Sequence, residues 1–306
     1  MKITVLSDSH LGTKSGRTAS SRQIYDEFVR GQFRKVFDEV RTADLIVHAG
    51  DVFDTSKPSS DLQEFLNYEL SKALDSGIEV MVIAGNHDHS LNHNLLEMYY
   101  PNLHIVNKMT PLELDGFNLV GLPFTKDVSA IQQLLDSGRP DLFIAHQLLE
   151  NSWVGPQRMH FRGRKTLRPP KKGLLISGHV HRAQQTAERS VHCGSIVRTS
   201  FAESIESKGF FIIDAEEDYI SAEFNKLESF PMEIHEVENL NDFKPKNKQA
   251  RLYLRLVGTQ EEEIGSMYAK FPAELFPHLR IAIGARPLYS KYSSGFRDPS
   301  FEIQLK

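Results

Sequence analysis

An α/β fold with a largely parallel sheet is what the apolar pattern of the chain predicts, and three observations carry that prediction. Six short runs rich in Val, Ile, Leu and Phe recur, helical spacings separate the early ones, and polar, metal-competent side chains follow five of the runs. Short continuous apolar runs suit strands buried on both faces, and their alternation with helices implies βαβ crossovers.

The runs are KITVLS (2–7), DLIVHA (44–49), IEVMVIA (78–84), FNLVGL (117–122), DLFIAH (141–146) and GLLISG (173–178). Ile24, Phe28, Phe33, Val36, Phe37 and Val40 carry helical spacing between the first two, and Leu62, Phe65, Leu66, Leu70 and Leu74 between the next two. After about residue 190 the texture shifts to SVHCGSIV (190–197), KGFFIIDA (208–215) and YISAEFNKL (219–227), which read as antiparallel strands completing the sheets. The tail offers MEIHEV (232–237), RLYLRLVG (251–258), a helix start in TQEEEIGSMYAKF (259–271), RIAIGA (280–285) and a last strand in FEIQLK. The expected division is 1–229 for the main domain and 230–306 for a small α/β domain.

Composition bounds the rest. With 306 residues, 40% apolar and 25% charged, the chain is that of a cored globular protein. No basic segment leads into an apolar core at the start, and no run approaches the roughly 18 apolar residues of a membrane span, so a soluble, unexported protein is expected. The single cysteine, Cys193, rules out an intramolecular disulfide and a thiolate-rich metal site, which suits a reducing compartment. A net charge of −4 does not advertise a nucleic-acid binder, so such a role must rest on a local patch. Thirteen histidines are the oddity.

Their placement carries the chemistry. ITVLS is followed by Asp8-Ser9-His10, LIVHAG by Asp51 and Asp54, VMVIAG by Asn86-His87-Asp88, LFIA by His146, and LLISG by His179-Val180-His181. In an open α/β sheet the carboxyl ends of the strands share one rim, so residues distant in sequence converge there. Glycines at 50, 85 and 178 sit just before the polar residues, where tight turns aim side chains into the crevice. The DxH and HxH spacings put both members on one side of an extended segment. Asp8, His10, Asp51, Asn86, His146, His179 and His181 are too many donors for one tetrahedral site and suit two metals sharing Asp51. Carboxylate, imidazole and carboxamide without sulfur favour Mn²⁺, with Fe²⁺ or Mg²⁺ as the other candidates. Such a pair of ions, about 3.5–4 Å apart, activates water and clamps both oxygens of an in-line phosphoryl displacement.

DSH, GDVFD, GNHD, a lone His and GHVH, in this order and each after a strand, resemble the five motifs of the calcineurin-like metallophosphoesterase superfamily. Within it, DSHLG (8–12), GDVFD (50–54), AHQ (145–147), SGHVHR (177–182) and CGSIVRTSFAE (193–203) look like the SbcD-type nucleases that work with an SbcC-type ATPase in double-strand-break repair and recombination. The resemblance covers about residues 1 to 230. It implies a four-layer αββα sandwich with a small C-terminal α/β capping domain that recognises DNA. It also implies Asp8, His10, Asp51 and His181 on one metal and Asp51, Asn86, His146 and His179 on the other. His87 then acts on the scissile phosphodiester, with Asp88 accepting its ring N–H to orient it. The activity implied is manganese-dependent 3′–5′ double-strand exonuclease and single-strand endonuclease cleavage of DNA. A homodimer and a cytoplasmic, nucleoid-associated location follow as well, in the host cytoplasm for a viral protein. Family members continue into a helical segment that grips the ATPase, whereas this sequence stops at FEIQLK, so the ATPase partner is implied by resemblance alone.

Four other readings rank below this one. A protein phosphatase of this fold carries arginines in GDYVDRG and RGNHE, and here Thr55-Ser56 and Ala84 stand at those places. A purple acid phosphatase needs a tyrosine ligand where Asp54 stands. A small-molecule or cyclic-nucleotide phosphodiesterase shares every motif and ranks second. A scaffold protein that has lost its metals is disfavoured by the full ligand set. For DNA contact the candidates are Arg162, Arg164 and Lys165 within RMHFRGRKTLRPPKK (158–172), and Lys14 and Arg17 after the first motif. His48 is expected as a hydrogen-bonded core residue, and Asp54 as a turn or ligand-supporting group. His192 and Cys193 are expected near the site without binding metal, and Leu95, Leu96, Met98, Tyr99 and Tyr100 as core or a dimer face.

Overall fold

Seven strands form the first sheet of the computed structural model, in the order Glu302–Leu305 (β18), Tyr219–Leu227 (β14), Lys208–Glu216 (β13), Lys2–Leu6 (β1), Leu45–His48 (β2), Glu79–Ile83 (β3) and Leu103–Val106 (β4). Six form the second, in the order Gln184–Ala187 (β11), Ser190–His192 (β12), Leu174–Ser177 (β10), Leu142–Ala145 (β7), Phe117–Leu122 (β6) and Thr110–Leu114 (β5). Met232–Val237 (β15), Arg251–Leu256 (β16) and Leu279–Ile283 (β17) make a parallel three-stranded sheet, and Trp153–Val154 (β8) pairs with Gln157–Arg158 (β9). The helices are Ala19–Glu39 (α1), Ser60–Asp75 (α2), Ser129–Ser137 (α3) and Ile264–Ala269 (α4). The structure describes residues 1–40, 42–88, 95–154, 157–158, 163–216, 219–256, 264–283 and 302–305.

All six apolar runs are strands, but they are divided between two sheets rather than assembled into one. β1, β2, β3 and β4 run parallel in the first sheet, and β6, β7, β10 and β12 run parallel in the second. The two-residue alternation of strands sets the layers. Ile3, Val5, Leu45 and Val47 face Leu142, Ile144, Leu174 and Ile176 in a core between the sheets. Leu6, Ile46, Val80 and Val82 face outward under Tyr25, Phe33, Phe65 and Leu66 of α1 and α2. Phe143, Ala145 and Leu175 pack outward against Ile131 and Leu135 of α3. The result is a four-layer αββα sandwich. Its helices start on ordinary caps: Thr18 and Ser21 form a capping box for α1, and the Ser59 side chain accepts from the Leu62 amide at α2.

Two short elements carry no clear period: β4 and β11. β5 (TPLEL) is an edge strand with a proline, a place where such residues are tolerated. The three-stranded sheet has its own apolar cluster, which includes Leu252, Leu254, Met267, Phe271, Leu279 and Ile281. The chain then returns to the first sheet, where β18 pairs antiparallel with β14. Among the described residues no helix is long and apolar enough to cross a membrane.

Cys193 lies in the core between the sheets, fully buried, and its thiol donates to the Val5 carbonyl at 3.3 Å. Burial pushes the thiol pKa up to about 12. The native protein is therefore expected to leave this thiol unreacted with Ellman's reagent at pH 8 and to release one equivalent once unfolded; prompt native reaction would contradict the placement.

Candidate metal centre

Parallel strands deliver the predicted ligands to one rim. β1 ends just before Asp8, β2 before Asp51, β3 before Asn86, β7 before His146 and β10 before His179 and His181. Backbone bonds lock the loops together: the Asp8 amide donates to the Gly50 carbonyl at 2.9 Å and the His10 amide to the Asp51 carbonyl at 3.2 Å. Asp8, His10, Asp51 and His179 all adopt the left-handed region, with φ of 51°, 43°, 54° and 75°. Few residues with a Cβ sit there, and the strain, of order 1–3 kcal/mol each, persists only where surroundings over-determine it. The rim is a place where local backbone preference yields to the placement of side chains.

Two glycines make the approach possible. A Cβ on Gly50, whose φ is +92°, would lie 2.2 Å from His146 Nδ1, and one on Gly85 would lie 2.2 Å from Asp51 Oδ1.

All seven predicted ligands converge. His10 Nε2 lies 3.0 Å from His181 Nε2, which is 3.8 Å from Asp8 Oδ1. Asp51 Oδ2 stands between the halves, 4.0 Å from His10 Nε2 and 3.4 Å from His146 Nε2. Asn86 Oδ1 is 3.3 Å from His146 Nε2 and 2.9 Å from His179 Nδ1. Among the described residues, Asp8, His10 and His181 offer ligand atoms within 4.8 Å of one another, and so do Asp8, Asp51 and His146. Asp8 is common to both groups, and Asp51 joins the second.

Contacts behind His146, His181 and His10 leave Nε2 of each ring facing inward. His146 Nδ1 donates to the Ala49 carbonyl at 2.8 Å, which leaves Nε2 for the site. His181 Nδ1 faces Glu203 Oε1 at 3.2 Å, and His10 Nδ1 lies 3.4 Å from Asp54 Oδ1. The two inner nitrogens, His10 Nε2 and His181 Nε2, face each other at 3.0 Å, a placement that a shared proton or a metal ion satisfies. Such a pair calls for a cation, and the buried, sulfur-free set of carboxylate, imidazole and carboxamide fits divalent ions.

Charge is distributed accordingly. Burial works against ionised Asp51, but the hydrogen bond and charge of His146, with the His87 amide, hold its carboxyl well below the usual range. Burial likewise opposes the His146 imidazolium, yet Asp51 and Asp8 push its pKa up to about 9. His179, desolvated and beside His146, falls to about 4.

His87 stands beside the ligands, with Nε2 4.0 Å from Asp51 Oδ2 and its ring edge-on to His10. Asp88 is a correction. In place of the expected bond from the His87 ring N–H, its buried carboxylate accepts backbone amides from Gly85 at 2.9 Å and from Val52 and Phe53 at 3.2 Å. It staples the GNHD turn to the GDVFD loop. The ring of His87 donates from Nδ1 to the Asp54 carbonyl at 2.9 Å. A tight turn points Asp88 back at its own loop's amides, and sequence adjacency to His87 gives no hint of that.

Arg17 is a second correction. Its guanidinium donates to the carbonyls of Phe271 at 2.6 Å and Phe276 at 3.4 Å and lies over the Tyr268 ring, so it ties the loop to α4 and the segment that follows it rather than facing solvent. Lys14 and Lys165 are exposed. Arg164 is exposed and pairs with Asp127 at 3.3 Å, a surface contact worth little. Arg162 lies outside the described residues. His48 is a core residue, bonded to Ser9 Oγ, and burial lowers its pKa to about 3. His192 is buried on the Gly178 carbonyl and the Ser152 hydroxyl, a neighbour of the site rather than a ligand. Met98 and Tyr99 are 78% and 77% exposed, while Leu96 and Tyr100 pack on the core.

Three further groups stand at the site outside the predicted ligand set, Glu203 as the last residue of the CGSIVRTSFAE run. Glu203 backs His181, Lys208 is wholly buried beside it, and the Phe124 ring lies 5.6 Å from that of His179. Lys208 opens an apolar run and Phe124 closes one, so neither breaks a period.

A rim of seven such donors at the carboxyl ends of the parallel strands of two facing sheets defines a metal-dependent phosphoester hydrolase. The calcineurin-like phosphoesterase model matches residues 1–183, and the chain belongs to that family. It is 26% identical over 272 residues to the SbcD component of the nuclease SbcCD from Staphylococcus epidermidis, covering 72% of this chain and 67% of that protein. Solved structures similar to it include a dimetal phosphatase from Danio rerio, with TM-score 0.45, 12% identity, and coverage of 73% of this chain and 95% of that one. Vps29 complexed with Zn²⁺ from Entamoeba histolytica matches with TM-score 0.37, 11% identity, and coverage of 74% and 92%.

Proposed function

We propose that this chain is a Mn²⁺-dependent DNA nuclease, acting as a 3′–5′ exonuclease on double strands and an endonuclease on single strands. Its setting is double-strand-break repair or recombination beside an SbcC-type ATPase, in the cytoplasm at the nucleoid. The observation that supports this most is the likeness to the SbcD component of SbcCD, which extends past the 183 residues of the phosphoesterase match.

In this reading Asp8, His10, Asp51 and His181 hold one ion and Asp51, Asn86, His146 and His179 the other. When bound, the ions supply Lewis acidity and neutralise phosphate charge. The Asp54 carbonyl fixes the His87 ring with Nδ1 protonated, so that Nε2 is the nitrogen offered to the scissile group. His87 presents Nε2 to the scissile phosphodiester, stabilising it or protonating the departing 3′ oxygen. Asp88 holds the loop that carries His87. Residues 230–306, apart from the last strand β18, which rejoins the first sheet, serve as the DNA-recognition cap, and exposed Met98 and Tyr99 belong to the contact between two copies.

Lys14, Arg164 and Lys165, with Arg162, neutralise backbone phosphates. Replacing Arg164 and Lys165 by alanine is expected to lower the slope of log affinity against log salt by about 0.9 per lost phosphate contact, measured by filter binding. An unchanged slope and affinity would remove these residues from the interface.

The test of function compares substrates in Mn²⁺: linear duplex DNA, bis-p-nitrophenyl phosphate and 2′,3′-cyclic nucleotides. Degradation of the duplex from its 3′ ends is the expected outcome. Hydrolysis of the small esters alone would assign the chain to small-molecule diesterases.

A further inference from the structure

The run RTSFAE (198–203) takes no part in the phosphoester chemistry, yet it forms a wall of the metal centre. Glu203 is 6% exposed and presents Oε1 to His181 Nδ1 at 3.2 Å. The same oxygen accepts from Thr199 Oγ1 at 2.8 Å and from Ser200 Oγ at 2.9 Å. Oε2 accepts from the Thr199 amide at 3.2 Å and pairs with Lys208 Nζ at 2.8 Å. Lys208, fully buried, also meets Glu206 Oε2 and the His181 carbonyl, both at 2.9 Å. The ring and the backbone of His181 are thus held by one connected set of charges.

The opposite side of the run is gripped by the C-terminal sheet. Arg251, at the start of β16 and 6% exposed, donates from Nη1 to the Arg198 carbonyl at 2.6 Å and to Tyr25 Oη at 3.0 Å. Nη2 donates to the Thr199 carbonyl at 3.0 Å. The guanidinium lies 5.1 Å from the ring centres of both Tyr25 and Phe201. A planar fork with several donors suits such a clamp better than a lysine would.

We propose that residues 198–203 form a strap that positions His181: Glu203 sets the orientation of its imidazole, and Arg251 couples that orientation to the placement of the C-terminal sheet. This rests on the reading of His181 as a metal ligand. A carboxylate behind a metal-binding histidine fixes its tautomer and raises its basicity, and losing it weakens metal binding. Glu203 also caps the turn Phe201–Glu203, a purely structural role that would leave metal affinity alone in a folded variant. Any domain movement that shifts β16 pulls on the carbonyls of residues 198 and 199, and through Thr199 on Glu203.

Mn²⁺ titration calorimetry on the full chain tests this, with circular dichroism and thermal unfolding to verify folding. Glu203→Gln is expected to weaken one of two ions by about 10–100-fold and to spare the other. Arg251→Met, which leaves Glu203 intact, is expected to weaken the same ion by about fivefold or more. In a His181→Ala background Glu203→Gln should cost nothing further, because the strap acts through His181. Wild-type affinity for both ions in folded Glu203→Gln, or an equal loss in the His181→Ala background, would overturn the positioning role. Unchanged affinity in Arg251→Met would overturn the coupling to the C-terminal sheet. Both ions bound normally by His181→Ala would instead overturn the ligand reading beneath it.

Discussion

Substituting His87 with alanine is expected to leave both ions bound and to reduce phosphodiester cleavage by about 10²–10⁴-fold, the usual contribution of a positioned acid or base. The expectation follows from where the ring is tied. His87 Nδ1 donates to the Asp54 carbonyl, and its Nε2 stands 4.0 Å from Asp51 Oδ2 without joining the close-set ligand atoms. Its backbone amide, which the substitution keeps, still donates to Asp51 Oδ1 at 2.9 Å. Removing the side chain therefore takes away a proton donor and spares the groups that hold metal. Elemental analysis alongside single-turnover cleavage decides it. Loss of an ion would make His87 a ligand, and cleavage within a few-fold of wild type would leave it without a role.

The second large effect is on stability. Lys208→Met is expected to destabilise the fold by roughly 3–5 kcal/mol, because it strands buried carboxylates that had a cation between them. Lys208 is fully buried, with Nζ 2.8 Å from Glu203 and 2.9 Å from the part-buried Glu206. At a few degrees per kcal/mol the melting temperature should fall by about 10 °C. The pH dependence has a definite sign. Burial alone would raise the Glu203 pKa, but Lys208 and His181 hold it well below the usual carboxylate range. A depressed carboxylate contributes stability above its unfolded pKa and loses it as pH falls through the folded one. Without Lys208 the buried carboxyl prefers its proton, so the gap between variant and wild type should be widest near pH 7 and close toward pH 4. A gap that stays constant over that range would mean the lysine acts by packing alone.

The strands and the ligands were legible in the sequence for the same reason: a buried parallel strand must be apolar until it reaches the rim, so the first polar residue after each run marks the crevice. Asp8, Asp51, Asn86, His146 and His179 all stand at such ends, and the structure brings them together. Division of the six runs into two sheets was not legible from periodicity, since Phe143 facing α3 and Ile144 facing the first sheet are equally apolar. The groups behind the ligands were hidden for a different reason. Asp88 reaches its partners through the curl of a turn, Arg17 through a loop that meets residues some 250 positions later, and Glu203 by closing on His181 across a capping turn. These contacts depend on tertiary placement, and neighbouring residues in the chain do not encode them.

Counting bound Mn²⁺ is the most direct measurement. Metal-free protein titrated with Mn²⁺ and followed by electron paramagnetic resonance should take up two ions per chain, with the signal of the second suppressed and reshaped by exchange with the first. Asp51→Ala should abolish that coupling. A single uncoupled ion per chain, or coupling that survives the loss of Asp51, would contradict a shared two-ion centre built from Asp8, His10, Asp51, Asn86, His146, His179 and His181.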